Sequence, residues 1–447
     1  MDRLKKYLRY LQYIIIAETI LGGAGRIITF GSLTIRMALY GAAMLLFLVC
    51  LVMDWKHLIE NINLEDLNIK LVILFLFWIV FSAVHGYLIS GFSLLQIKGD
   101  VTGFLSLILI FPFCYAFNDK KYFDNIIKLI SICIVLQSMS IIIIYFGIEM
   151  HLLNFDYVKL LISNLYLGSM TKIQPATTRI FFKSSIYIQV GIIILLGMLL
   201  RDISSKVKWK IYLSLIINCF ALIISFTRGF WLAAIAEIFI YIILKGFKQF
   251  IKPFCIVILG IFLLIGVNYG VNRNTKIIES IVVRTGIIHI AGVNINDNPD
   301  VSAAEAITEK SLEYRQKLQG EMIKRIIEKP IIGTGFGVIL SNIGQQVSHS
   351  EYMYLDIILE MGLIGFVLYI SILLILFLRW LSVRRKLSGK YNFMDEYMLG
   401  FLSVVITSSF NPFLNNPIGI MFLAVVFALI NTYYKKSLSR NEVKLKL

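Results

Sequence analysis

The chain has 447 residues, of which 58% are hydrophobic and 16% are charged, and its mean hydropathy is +0.81. A soluble protein of this length could not bury so much apolar surface, so the composition excludes the ordinary soluble classes and predicts an all-α polytopic membrane protein. The net charge of +16 does not indicate a nucleic-acid partner, because the basic residues lie in short clusters between apolar runs. Such clusters are typical of topology signals and contacts with anionic membrane lipid.

Apolar runs long enough to cross a bilayer recur along the whole chain. We predict a transmembrane bundle of about 12 helices, since one span needs about 20 apolar residues. The predicted spans are residues 8–25, 33–53, 70–90, 101–117, 127–148, 184–200, 209–226, 229–244, 253–270, 352–378, 395–413 and 416–434. Residues 1–270 thus hold the first nine spans, 271–351 form one large extracytoplasmic loop, and 352–447 hold the last three spans and a basic tail.

The charges of the connecting segments predict the orientation. Both terminal segments and every second loop are rich in lysine and arginine, whereas the short loops of the other set are almost free of them. Short loops rich in positive charge stay in the cytoplasm. We therefore expect both termini inside, and the loops 149–183 and 271–351 outside.

Two arginines stand at the ends of predicted spans on the outer side. Arg179 lies in "QPATTRIFF" before the sixth span, and Arg228 lies in "SFTRGFWLA" between the seventh and eighth. Charge at membrane depth is costly and often marks function. Each could also be an ordinary interfacial arginine whose charged end reaches the headgroup region.

The stretch "SAAEAITEKSLEYRQKLQGEMIKRIIEK" predicts a helix inside the long outer loop. Ser302 and Glu305 fit a capping box at its start, and Pro330 ends it. One stripe with a spacing of three to four residues contains Leu312, Arg315, Gln319, Met322 and Ile326. An arginine on such a stripe is out of place in a helix that only packs, so Arg315 is a candidate functional residue.

The end of this loop contains a glycine-rich stretch and then a histidine. "KPIIGTGFG" predicts a tight turn that returns the chain to the membrane, with glycines that allow close backbone approach. No strand–turn–helix pattern supports a nucleotide loop there. His349 opens "HSEYMYLDIILEMGLIG", whose remainder predicts a membrane helix. The remaining histidines, which we interpret as structural, are His57, His85, His151 and His289.

His349 and the three arginines come from separate stretches that end at the same predicted surface. Histidine titrates near neutral pH and can take a proton from a hydroxyl group. Arginine offers fixed, planar donors suited to phosphate oxygens. One base with several arginines at a lipid interface therefore favours group transfer from a lipid-linked diphosphate.

Between about residues 175 and 370 the chain resembles the O-antigen ligase/polymerase family of membrane glycosyltransferases. "SFTRG" is similar to the family's Ser-x-Ser-Arg-Gly stretch, and "EYRQKLQGEMIKRIIEKPIIGTGFG" to its loop helix and Pro-x-x-Gly-x-Gly turn. "HSEYMYLDIILEMGLIG" resembles its His-Asn/Ser-x-Tyr…Glu-x-Gly-x-x-Gly signature, although Glu360 lies eleven residues after His349 rather than about nine. Thr227 stands where the family usually has serine.

The resemblance implies inverting glycosyl transfer from an undecaprenyl-diphosphate-linked glycan. His349 would be the catalytic base on the acceptor hydroxyl, while Arg228, Arg315 and Arg179 would bind the donor diphosphate. Glu351 and Glu360 would be supporting residues. The arginines could take the place of a metal ion, and no DxD-type metal motif is present in the sequence, so we expect neither a metal nor a cofactor.

Two functional alternatives stay open. We favour a polymerase of lipid-linked repeat units in the bacterial plasma membrane over a ligase that transfers glycan to another lipid or protein acceptor. A transporter of lipid-linked glycans is less favoured, because transporters usually carry polar sites near the bilayer midplane. The expected partners are the lipid-linked donor, a glycan acceptor and membrane lipid, together with chain-length regulator and flippase proteins.

Overall fold

The computed structural model describes residues 2–31, 33–53, 55, 65–117, 120–173, 177–201, 204–272, 299–340, 350–386 and 393–445. These residues are almost entirely helical. The helices are α1 (Asp2–Leu21), α2 (Ile35–Met53), α3 (Leu67–Leu88), α4 (Leu94–Leu105), α5 (Ile110–Ala116), α6 (Lys120–Glu149), α7 (Phe155–Asn164), α8 (Ile186–Leu199), α9 (Ser205–Ile224), α10 (Arg228–Lys245), α11 (Ile251–Asn272), α12 (Pro299–Glu328), α13 (Met353–Lys386), α14 (Met394–Thr407) and α15 (Pro417–Leu445). Short 3₁₀ turns lie at Ser106–Leu109 and Phe247–Gln249. The strands are β1 (Thr29–Phe30), β2 (Leu33–Thr34), β3 (Gly168–Ile173) and β4 (Thr177–Phe182).

The all-α, multi-pass architecture is confirmed, and each predicted span falls on a helix. Within the described residues, eight helical segments are long and apolar enough to cross a membrane: Ile35–Met53, Leu67–Leu88, Leu94–Ala116, Lys121–Glu149, Ser205–Ile224, Lys248–Gly266, Met353–Lys386 and Pro417–Leu438. The other predicted spans correspond to α1, α8, α10 and α14. Helices α8 and α14 have 14 residues each, about 21 Å at 1.5 Å per residue, which is less than the hydrocarbon thickness of a bilayer.

The chain forms two compact units, and the first comprises Met1–Ile16, Met37–Ile126 and Tyr314–Leu447. Helix α15 is at its centre, because all side chains from Ile420 to Ile430 are fully buried. Helices α5, α13 and α14 pack against it. The buried Arg379 of α13 lies 2.8 Å from the Asp66 carboxylate and donates to the Asn431 side chain at 2.7 Å. This charge is therefore paired, as burial requires.

The second unit comprises Ala17–Arg36 and Ile127–Glu313. Helix α8 is at its centre, buried on nearly every side by α9, α10 and other parts of the unit. The Asn218 amide of α9 donates to the Ile188 carbonyl of α8 at 2.7 Å. Strands β3 and β4 form an antiparallel hairpin in the segment 149–183, and α7 packs against β3. The sequence reasoning predicted only a loop there.

Helix α12 corrects one prediction for the long loop. It begins at Pro299, so Ser302 lies inside the first turn rather than at the N-cap, and the predicted capping box with Glu305 is wrong. Proline at the first helical position needs no backbone N–H partner and already has a helical φ angle. The predicted end is confirmed, since the helix stops at Glu328, two residues before Pro330.

The predicted orientation can be tested with single cysteines. All five native cysteines are free, so they can be replaced to give a cysteine-free background. A cysteine at Asn296 should react with an impermeant thiol reagent in intact cells, while one at Ser388 should react only after the membrane is opened. Both positions lie outside the described residues. Labelling at 388 in intact cells would overturn the predicted orientation.

Candidate functional site

Arg179 and Arg228 lie in the second unit, at the tight connection between α9 and α10. The connection turns at Phe226, which has a left-handed φ of 47°. The Arg179 guanidinium, on β4, donates from Nε to the Ser225 carbonyl and from Nη2 to the Thr227 hydroxyl, each at 3.1 Å. Arg228 is the first residue of α10 and is exposed. We call Arg179, Thr227 and Arg228 the α10 site.

The electrostatics of the α10 site favour an anion. Helix α10 has no acidic residue in its first turn and no side-chain cap, so its N-terminal N–H groups carry uncompensated positive potential. Arginine at a helix N-terminus is itself unfavourable by a few tenths of a kcal/mol up to about 1 kcal/mol. A bound anion would reverse that balance, since the N–H groups and both guanidinium groups could donate to it.

Arg315 and Glu351 lie in the first unit and form an ion pair. Arg315 Nε is 2.6 Å from a Glu351 carboxylate oxygen, and the two side chains are 43% and 47% exposed. The structure thus brings together two of the predicted site residues, which are 36 positions apart in sequence. A partly exposed pair contributes little stability, about 0–1 kcal/mol, so its main consequence is the orientation of the guanidinium.

An apolar cluster beneath this pair holds α12 in place. Leu318 and Met322 of α12 are buried together with residues of α13 and of the segment that follows the glycine-rich stretch. The other buried members of the cluster are Val338, Leu340 and Leu359. Gln319, predicted on the apolar stripe, is exposed, so that assignment is wrong and Leu318 occupies the buried position one residue earlier.

The glycine-rich stretch packs against an interruption in α13. Gly362 has φ 67° and ψ −175°, which breaks the regular helix and leaves nearby carbonyl groups free to accept. Thr334 N–H donates to the Leu359 carbonyl at 2.8 Å and Gly335 N–H to the Glu360 carbonyl at 3.0 Å. The turn that the sequence predicts is present, and its glycines approach protein backbone.

Gly335 is the position where this packing leaves no room for a side chain. Its φ is +86°, and a Cβ placed there would lie 2.4 Å from the Gly86 backbone of α3. Gly335→Ala should therefore destabilise the protein by about 3 kcal/mol or more, because backbone strain and overpacking each cost about 1–3 kcal/mol.

Gly91→Ala is the matched control for this prediction. Gly91 also has a positive φ, +69°, but open space surrounds its missing Cβ. Thermal unfolding in detergent should show a clearly larger loss for Gly335→Ala than for Gly91→Ala. Equal losses would mean that the close contact with Gly86 contributes nothing.

Glu360 lies in the interior of the first unit, where its carboxyl group is close to that of Asp100. Asp100 also accepts from Gly337 N–H at 2.8 Å. Asp100 was not predicted from the sequence. The only feature that could have indicated it is the position of an acidic residue at the edge of an apolar run. These contacts join α4, the glycine-rich stretch and α13, so they position the chain on both sides of residues 341–349. The supporting role of Glu360 in transfer stays a prediction.

His349 lies outside the described residues, as do His57 and His289. Its neighbour Ser350 is buried, as is Leu340 before residues 341–349. His85 lies on α3 beside Gly335, and the exposed His151 follows α6 with φ 58°. The structure therefore describes the α10 site and the Arg315–Glu351 pair, while the role of His349 stays a prediction.

The fold and these residues define a multi-pass helical membrane protein with arginines at the ends of its apolar helices. Residues 213–370 match the model of the family Wzy_C, O-Antigen ligase. This segment contains Arg228, Arg315, His349 and Glu360, and the match confirms the resemblance to the O-antigen ligase/polymerase family that the motifs indicate. A search of the curated proteins found no match.

Proposed function

We propose that the protein polymerises lipid-linked oligosaccharide repeat units of the O-antigen or capsular/exopolysaccharide type. The reaction is inverting glycosyl transfer from an undecaprenyl-diphosphate donor at the outer face of the bacterial plasma membrane. The observation that best supports this proposal is the α10 site. Its two arginines and uncapped helix N-terminus suit a diphosphate, and Arg179 is already oriented by Ser225 and Thr227.

In the proposed step the acceptor hydroxyl oxygen forms a bond to the anomeric carbon of the donor sugar. The bond from that carbon to the diphosphate oxygen breaks, and polyprenyl diphosphate leaves with the electron pair. His349 takes the hydroxyl proton. Attack opposite the leaving group inverts the anomeric centre, and a positioned base of this kind contributes about 10²–10⁴-fold in rate.

Arg228, Arg315 and Arg179 bind the diphosphate and offset the charge that grows on it as the bond breaks. Fixed donors directed at developing charge typically lower a barrier by several kcal/mol. A planar guanidinium group can bind two oxygens of a diphosphate at once. We infer that these arginines take the place that a metal ion has in other sugar transferases.

The proposed orientation places both termini in the cytoplasm and residues 271–351 outside, where a membrane-delivered donor would meet its acceptor. A flippase would then have to supply the donor, and a chain-length regulator would limit the product.

A ligase is the second candidate, since the matching family model is described as O-antigen ligase. Reconstitution of the purified protein with a lipid-linked repeat unit distinguishes the two functions. A ladder of products that grows by whole repeat units supports polymerisation. A single transfer that requires a different lipid acceptor supports ligation and contradicts the proposal.

Replacing Glu351 tests whether Arg315 faces the donor. Glu351→Gln removes a negative charge beside Arg315, so binding of a polyprenyl diphosphate should tighten by about fivefold, for a charge effect of about 1 kcal/mol. The melting temperature should change little. Glu321→Gln on α12 is the matched control, since Glu321 pairs with Arg325 at 3.2 Å. Equal affinities in the two variants, measured by calorimetry, would argue against donor contact by Arg315.

A further inference from the structure

Three basic side chains meet in the second unit at residues that neither the family motifs nor the proposed reaction uses. They are Arg26 in the loop after α1, Arg36 at the start of α2, and Lys183 after β4. Arg36 is buried and donates from Nε to a Glu18 carboxylate oxygen at 2.8 Å and from Nη2 to the Gly23 carbonyl at 2.9 Å. We call Arg26, Arg36 and Lys183 the basic cluster.

The positive charges of the basic cluster act on one another. Partial desolvation and the neighbouring Arg26 and Arg36 guanidinium groups lower the pKa of Lys183 below its usual value. Arg26 lies with its guanidinium 4.9 Å from the centre of the Tyr166 ring. Glu18 offsets one of the three positive charges through its pair with Arg36, so the cluster keeps an excess of positive charge.

Backbone contacts around the basic cluster hold its three side chains close to one another. Gly25 has φ +77°, and a Cβ there would lie 2.7 Å from Cβ of Arg36 and 2.9 Å from its Nε. The Ala24 N–H donates to the Tyr166 carbonyl at 3.2 Å, and the Lys183 N–H donates to the Leu167 carbonyl at 2.8 Å. Two loops far apart in sequence are thus joined by backbone hydrogen bonds, and the basic groups are positioned before any ligand arrives.

Exposed apolar side chains surround the basic cluster. Ile27, Ile28 and Leu33 are 44%, 47% and 46% exposed, and Tyr166 is 44% exposed. Apolar side chains next to basic groups are typical of the region where a membrane surface meets lipid headgroups. A free phosphate would use the basic groups and would leave the apolar ones in water.

We propose that the exposed Arg26 and Lys183 bind the phosphate of an anionic phospholipid headgroup beside the buried, Glu18-paired Arg36, while Ile27, Ile28 and Leu33 contact the upper part of its acyl chains. The excess charge attracts the phosphate, because basic residues near an anionic lipid surface each contribute favourable binding energy. The apolar rim explains the preference for a lipid over a soluble anion. This inference does not depend on the proposed reaction.

The experiment compares lipid retention by the full-length protein in native mass spectrometry. Wild-type protein is mixed with phosphatidylglycerol or with phosphatidylcholine in detergent. The test variant is Arg26→Gln/Lys183→Gln, whose two side chains are exposed, so the fold should survive their change. The matched control is Lys159→Gln/Lys172→Gln, because both of those lysines lie over the Phe155 ring and not in the basic cluster.

We expect wild-type protein and the control to retain phosphatidylglycerol over phosphatidylcholine, and the test variant to retain at least about tenfold less phosphatidylglycerol. Equal losses in the two double variants would show general attraction to positive charge and would overturn the proposal. A further arm adds inorganic phosphate alone and follows thermal unfolding. Phosphate that stabilises wild-type protein as much as phosphatidylglycerol does would also overturn it, since the cluster would then be a site for a soluble anion.

Discussion

Replacing His349 by alanine should lower glycosyl-transfer turnover by about 10²-fold or more, the lower end of what a positioned general base contributes. The alanine cannot take the proton from the acceptor hydroxyl, so attack on the anomeric carbon would require a poorer nucleophile. Affinity for the donor should change little, because the arginines bind the diphosphate. Turnover and donor affinity should be measured on the same reconstituted sample.

Asparagine at this position separates catalysis from a structural role. His349→Asn keeps a polar side chain that can cap a helix but cannot act as a base, so it should be as inactive as the alanine variant. His151→Asn is the matched control, since His151 is an exposed histidine with a positive φ that asparagine tolerates. Near-wild-type turnover in His349→Asn would remove this residue from the mechanism. Loss of donor affinity together with turnover would instead make His349 a binding residue.

Arg228→Lys and Arg315→Lys should each lose most glycan product, by about tenfold or more. Lysine keeps the charge but cannot form the two parallel hydrogen bonds that a guanidinium makes to a diphosphate. Losing one charge-assisted hydrogen bond costs about 1.5–3 kcal/mol, which corresponds to a change of roughly tenfold to more than a hundredfold. Product formation should be measured at equal amounts of protein in the membrane.

Arg325→Lys is the control for these two variants. Arg325 lies on the same helix as Arg315 and pairs with Glu321 one turn earlier, so its change should leave product formation close to wild type. Near-normal product from both Arg228→Lys and Arg315→Lys would reduce these residues to interfacial anchors. A loss in Arg315→Lys alone would leave the α10 site without a part in donor binding.

Much of the fold could be predicted because the membrane imposes a length and a composition on every spanning segment. The predicted segments 416–434 and 352–378 each begin one residue before a helix, α15 and α13, and both helices extend beyond the predicted ends. The hairpin of β3 and β4 was missed, although "TTRIFF" is rich in β-branched and aromatic residues. Its six-residue strands give a weaker pattern than a spanning helix.

The candidate site was only partly predictable. The sequence indicates Arg179 and Arg228 as unusual charges beside apolar runs, because such charges are expensive there. It does not indicate that Arg179 is held by Ser225 and Thr227, since that contact depends on the hairpin lying against the end of α9. The pairing of Arg315 with Glu351 likewise requires α12 to pack beside the start of α13.

By itself the sequence determined the class of this protein, the position of its apolar helices and the family motifs, since these follow from hydrophobicity and local spacing along the chain. Only the tertiary structure decided which distant groups meet. Asp100 accepts from Gly337 N–H although 237 positions separate them, and Gly335 lies against Gly86 with no room for a Cβ. Such contacts depend on how helices pack, which no local pattern encodes. Backbone N–H and C=O groups that packing removes from water need hydrogen-bond partners, and the tertiary structure decides which groups are near enough to serve.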